Sequence, residues 1–219
     1  MSKLVWDESG SRYYETGVSN GVLFPMKTDG TSYESGVAWN GIINVTDSPE
    51  GAEATDLYAD GIKYASFRST ETFKFSIEAY TYPEEFAVCD GTASPIKGMY
   101  IGQQARRPFG FCYRSEKGND TSSSPTSYIL HIIYNATASP TEKSHDTIND
   151  SPDAATFSWD CETTSINVTG YKPTAEIRLD SAIIGEELMA KIEAKLYGDT
   201  SAEPTLLSPD EVIALLKTV

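Results

Sequence analysis

The stretch Thr72–Asp90, TFKFSIEAYTYPEEFAVCD, constrains the fold more than any other part of the chain. Phe73, Phe75, Ile77 and Ala79 alternate with Thr72, Lys74, Ser76, Glu78 and Tyr80, and a period of two places the four apolar groups on one face of a strand. That face needs a core and the other stays wet. Pairing is expected to stop near Thr81-Tyr82-Pro83, because proline lacks an amide donor and fixes φ. Beyond it, Glu84–Gly91 reads as an irregular acidic corner.

Strands of similar pattern lie on both sides. VAWNGIINV at Val37–Val45 is interrupted by Asn40-Gly41, a bulge or a turn, and Ile62–Phe67 is expected to pair with the opening strand across Arg68–Glu71. Met99–Ile101, Phe109–Arg114, Phe157–Cys161 and Thr174–Leu179 follow the same habit. In SYILHIIYNA, Tyr128, Leu130, Ile132 and Tyr134 share one face and Ile129, His131 and Ile133 the other, so this strand is expected to be covered on both sides. His131 reads as a hydrogen-bonded wall residue rather than a ligand, since His145 is the only other histidine.

Helical periodicity appears only late. In GEELMAKIEAKLYGD, Leu188, Ile192 and Leu196 fall at i, i+4 and i+8, Met189 widens the stripe and Gly198 supplies the stop. Ser208-Pro209-Asp210-Glu211 then caps a short terminal helix that needs a docking site. The expected fold is mainly β: an antiparallel β-sandwich with one flanking helix, an extended N-terminal arm, a long loop and a C-terminal segment. The expected divisions are an arm with short strands over 1–35, the β domain over 36–200 with its helix near 185–197, and a terminal segment over 201–219. A chain of 219 residues, 39% hydrophobic, is enough for one substantial core.

Charge narrows the function. The formal net charge is −15, which repels phosphate backbones and anionic membrane, so a protein that grips nucleic acid is not expected. No segment has the length and apolarity of a signal peptide or membrane span, which makes synthesis in a cytoplasm the expectation. Cys89, Cys112 and Cys161 are odd in number and lack CxxC spacing, so reduced, partly buried thiols are expected rather than a zinc site or disulfide framework.

Two charged stretches stand out. Thr46–Gly61 carries Asp47, Glu50, Glu53, Asp56 and Asp60 with no basic residue, and only Leu57 and Tyr58 as large apolar groups. It reads either as a solvated loop or as a protruding arm that orders on a partner. Lys97, Arg106, Arg107, Arg114 and Lys117 form the one basic stretch, with Glu116 as the only nearby acid. It reads either as charges balanced within the subunit or as a docking patch for an acidic neighbour.

Catalytic constellations are not apparent: there is no GxSxG, HExxH, Walker or dinucleotide loop. Glu84 with Glu85 and Glu186 with Glu187 are adjacent acids. Neither pair suits glycoside cleavage, since strand neighbours diverge and acids opening a helix serve its dipole. An enzyme is not expected, nor is a cofactor or metal.

Taken together, KLVWDESGSRYYETGV (Lys3–Val18), EATDLYADGIKY (Glu53–Tyr64), IEAYTYPEEFAVCDG (Ile77–Gly91), IGQQARRPFGFCYR (Ile101–Arg114), NATASPTEKSHDTINDSPDAATFSW (Asn135–Trp159) and KLYGD near the helix end resemble the major tail proteins of long-tailed bacteriophages. The resemblance spans nearly the whole chain. It implies a non-catalytic virion protein, made in the host cytoplasm, whose hexameric rings stack into the tail tube through which DNA is ejected. By family, the other partners are the tape-measure, tail-tip and tail-completion proteins. Thr46–Gly61 would be the stacking loop, Ile62–Tyr80 would supply lumen strands and Leu188–Leu196 the flanking helix. The candidate self-association residues are Asp47, Glu50, Glu53, Asp56, Leu57, Tyr58 and Asp60, set against Arg106, Arg107 and Arg114 of an adjoining copy. Another virion β-sandwich component, or a carbohydrate-binding adhesin module, is the alternative.

Overall fold

The computed structural model describes residues 3–122, 124–145, 147 and 154–217. The polar loop expected at Ser139–Asp153 falls partly outside them. Twelve strands are present among the described residues: β1 Tyr13–Pro25, β2 Val37–Trp39, β3 Ile42–Asp47, β4 Ala54–Ala59, β5 Ile62–Arg68, β6 Lys74–Ala79, β7 Ala93–Ile96, β8 Met99–Ile101, β9 Phe109–Asn119, β10 Ser127–Ala138, β11 Phe157–Thr163 and β12 Glu176–Asp180. Three helices close the chain: α1 Ser181–Ile184, α2 Glu186–Tyr197 and α3 Pro209–Leu216. The architecture is mainly β and antiparallel, as expected.

One sheet runs in the order β2-β1-β9-β10-β11-β6-β3, with β12 joining β10 off this path. Its first and last strands are consecutive in sequence, joined through Asn40-Gly41, so the sheet must roll to bring them together. The roll is tight enough that a Cβ on Gly21 of β1 would come within 2.3 Å of Ile42 Cδ1 on β3. The interior of this roll is aromatic. Trp39, Phe86 and Trp159 meet with ring centroids 4.6 to 5.5 Å apart, and Phe75, Ile77, Phe109 and Phe111 complete the cluster. Phe75, Ile77 and Ala79 of β6 all face inward, as the alternation of that strand requires, and the strand ends before Pro83.

A bend in β10 divides the molecule. The register with β9 shifts between Ile133 and Ala136, Asn135 takes a φ of 48°, and its amide donates to the Tyr33 hydroxyl at 3.1 Å. Before the bend, Ile129–Ile133 pairs with β12; after it, Ala136–Ala138 pairs with β11. One long strand thereby serves both the rolled part and a flatter extension. Its even-numbered face, Leu130, Ile132 and Tyr134, packs under α2 and α3 with Met189, Ile192, Leu196, Leu206, Leu207 and Val212. Both coverings of this strand therefore come from its own chain.

Four sequence expectations need correction. β5 does not pair with β6; it pairs with β4, while β6 lies between β11 and β3. Ile62–Arg68 is thus not a strand of the main sheet, and the lumen-strand assignment of Ile62–Tyr80 does not describe one continuous element. The arm expected over 1–35 is much shorter, because β1 lies inside the sheet with Leu23 and Phe24 fully buried. The segment over 201–219 is not separate from the domain over 36–200, since Leu206, Leu207 and Val212 dock on its sheet. Finally, the α2 stripe is Met189, Ile192 and Leu196, with Leu188 only half-buried.

Candidate assembly surface

The stretch Thr46–Gly61 is an ordered element. After β3 the chain is held at the sheet by Ser48 N donating to Lys74 O at 2.7 Å and by reciprocal bonds between Glu50 and Thr72 at 2.9 and 2.8 Å. It then leaves as the β4–β5 hairpin. Gly51 sits where the two legs nearly touch: φ is +94° and a Cβ would lie 2.4 Å from Thr70 O, so only glycine fits. At the tip, Asp60 and Gly61 take φ of 52° and 76°, the left-handed pair that a two-residue hairpin turn needs.

Both faces of this hairpin are wet. Tyr58, Tyr64 and Phe67 are 70%, 76% and 61% exposed, and Leu57 and Ile62 are exposed beside them. Isolated two-stranded hairpins are marginal in water. This one is braced by Asp56, whose carboxylate pairs with Lys63 at 2.7 Å and accepts from Ser66 Oγ at 2.7 Å. The Lys63 hydrogen bond, with help from Ser66, holds the Asp56 carboxyl below its ordinary range. A second small hairpin, β7–β8, exposes Ile96, Met99, Tyr100 and Ile101, and the N-terminal segment exposes Leu4, Val5 and Trp6.

The acids expected on this element divide by role. Asp56 and Asp60 lie in the hairpin, and Glu53 at its root offers its carbonyl to Ser69 N at 3.1 Å. Glu50 pairs with Lys74 at 2.9 Å, an ammonium that also meets Glu162. Asp47 turns inward to Arg178 at 2.8 Å.

The basic residues proposed to meet them are held inside the chain. Arg106 donates to Ala138 O at 2.9 Å and Asp90 O at 3.1 Å, and Arg107 to Met26 O at 3.0 Å and Glu34 Oε1 at 2.9 Å. Arg114 reaches Glu193 at 2.5 Å and lies over the Tyr128 ring, 4.2 Å from its centroid. Lys117 pairs with Asp180. Of the two readings of this stretch, balance within the subunit is the one its geometry matches. All three cysteines are free and buried, and burial raises the Cys89 thiol to about 12.

No family model and no curated protein matches the sequence. Among solved structures, one similar chain belongs to an extracellular contractile injection system, the PVC sheath-tube complex in its extended state. The identity is 13%, over 76% of this chain and 93% of that one, with a TM-score of 0.32. A likeness that loose carries no argument. Among the described residues, no helix is long and apolar enough to cross a membrane and no group of three or more His, Cys, Asp or Glu side chains is placed to hold a metal ion.

Proposed function

We propose that this chain is a structural subunit that joins copies of itself into a tail tube, by stacking rings, and that it performs no catalysis. The observation that carries the reading is the β4–β5 hairpin: an ordered projection, glycine-jointed at its root, with exposed Leu57, Tyr58, Ile62, Tyr64 and Phe67 that contribute nothing to either core cluster. Apolar groups concentrated on a projecting element mark a protein–protein contact. The extended resemblance in the sequence assigns the same segment to ring stacking. The unpaired outer edges of β4 and β5 add main-chain donors and acceptors that another strand could complete.

The contact chemistry differs from the charge pairing expected from sequence. Apolar and aromatic side chains of the hairpin make the interface, while Arg106, Arg107 and Arg114 stabilise the subunit. The surplus of acid then acts on cargo, since a channel wall sharing the sign of DNA gives it no adhesive contacts.

Replacing Tyr64 and Phe67 together with Asp tests this directly. The double variant should keep the wild-type melting temperature and elute as a folded monomer, yet form no tubes by electron microscopy where wild type does. Undiminished tubes would remove the hairpin from the interface. Stabilisation by an added oligosaccharide, lost in the same variant, would favour an aromatic carbohydrate-binding surface instead.

A further inference from the structure

On the sheet extension before the β10 bend, polar groups from five strands form one connected cluster. His131 is 5% exposed and lies flat on Tyr113, with ring centroids 4.4 Å apart and planes 2° from parallel. Its Nδ1 is 3.1 Å from Glu176 Oε1 and its Nε2 is 3.0 Å from Ser115 Oγ. Arg178 donates from Nε to the same Glu176 oxygen at 2.8 Å and from Nη2 to Asp47 Oδ2 at 2.8 Å. Ser115 Oγ also stands 3.4 Å from Glu15 Oε2 on β1.

Ser115, His131 and Glu176 fall in the order of a hydrolytic triad, but the site is not built for one. Ser115 sits mid-strand with β1 paired on one side and β10 on the other, so neighbouring backbone amides are engaged in the sheet rather than aimed at an oxyanion.

Charge balance points elsewhere. With His131 neutral, two carboxylates, Asp47 and Glu176, face one guanidinium, Arg178, and a single negative charge is left over in a largely covered site. Burial, then Glu176, pushes the Asp47 carboxyl above its ordinary range, and Asp47 Oδ1 is buried without a hydrogen bond. Burial opposes the Glu176 charge as well, but hydrogen bonds from His131 and Arg178 outweigh it and hold that carboxyl low. The other nearby charges are engaged: Lys74 with Glu50 and Glu162, and Lys117 with Asp180.

We propose that this cluster is a proton-operated latch on the root of the β4–β5 hairpin. Asp47 is the last residue of β3, and the chain leaves for the hairpin immediately after it. One proton taken up as the pH falls below neutral cancels the surplus charge and tightens Asp47 against β12. The proton lands on imidazole, the side chain that exchanges protons nearest neutrality. Neutral His131 gives Nδ1–H to Glu176 and accepts the Ser115 hydroxyl at Nε2. Protonated His131 donates from both nitrogens, and the Ser115 hydroxyl hydrogen is free to turn to Glu15. The latch operates within one chain, whether or not the hairpin docks on a copy.

Hydrogen exchange on the monomer at about pH 8 and about pH 6, corrected for intrinsic exchange, reads the Ser48 and Glu50 amides at the hairpin root. Both should exchange about three-fold or more slowly at the lower pH. In Asp47→Asn the response should vanish or reverse, and in His131→Gln it should vanish, so either variant suffices if the other fails to fold. Equal protection at the two pH values in wild type, or an intact response in the variants, would overturn the latch.

Discussion

Arg114 illustrates how side chains set the fate of a charged stretch. Its guanidinium is enclosed by Tyr128 and Tyr197 and reaches Glu193 on α2, so it clamps the helix to the sheet. Burial works against its charge, but Tyr197 and Glu193 raise its proton affinity overall. Arg114→Glu sets two carboxylates against each other there, and urea denaturation should read a loss of roughly 2 kcal/mol, below a fully buried pair because the site is partly exposed. Reversing Arg106 and Arg107 should likewise lower stability rather than block assembly selectively. None of this was legible locally: the Glu34 partner of Arg107 lies 73 residues away and the Tyr197 partner of Arg114 lies 83 away. The His131 cluster left one sequence signal, a lone histidine in an otherwise apolar strand, which must find hydrogen-bond partners when buried.

Elements were legible where their side chains report a single environment. The alternation in Phe73–Ala79 and the capping sequence at Ser208 both fixed local structure, and α3 opens with a complete box in which Ser208 and Glu211 satisfy each other's backbone amides. Ser208→Ala should cost about 1 kcal/mol in the same denaturation assay, a loss that Ser208→Asp should largely restore. β5 misled for a physical reason. Ile62, Tyr64 and Phe67 have the apolarity of a core strand, and sequence does not distinguish residues saved for the core from residues saved for a partner. The Asp60-Gly61 turn held the discriminating information, because a two-residue loop commits β5 to pairing with β4.

At the scale of the whole molecule, two opposed terms govern association. Exposed apolar groups on the hairpins and N-terminal segment favour contact, while a charge of −15 per copy, about 90 in a ring of six, opposes it. Salt shortens the reach of that repulsion, to a Debye length of about 10 Å at 0.1 M, and leaves apolar contact largely intact. Assembly should therefore grow with ionic strength, opposite to the dependence expected if acidic and basic patches held the rings together. Negative-stain electron microscopy of concentrated protein across a salt series tests the central claim most directly. The account predicts rings and tubes of constant bore that increase with salt; protein that stays monomeric at every concentration and ionic strength would contradict it.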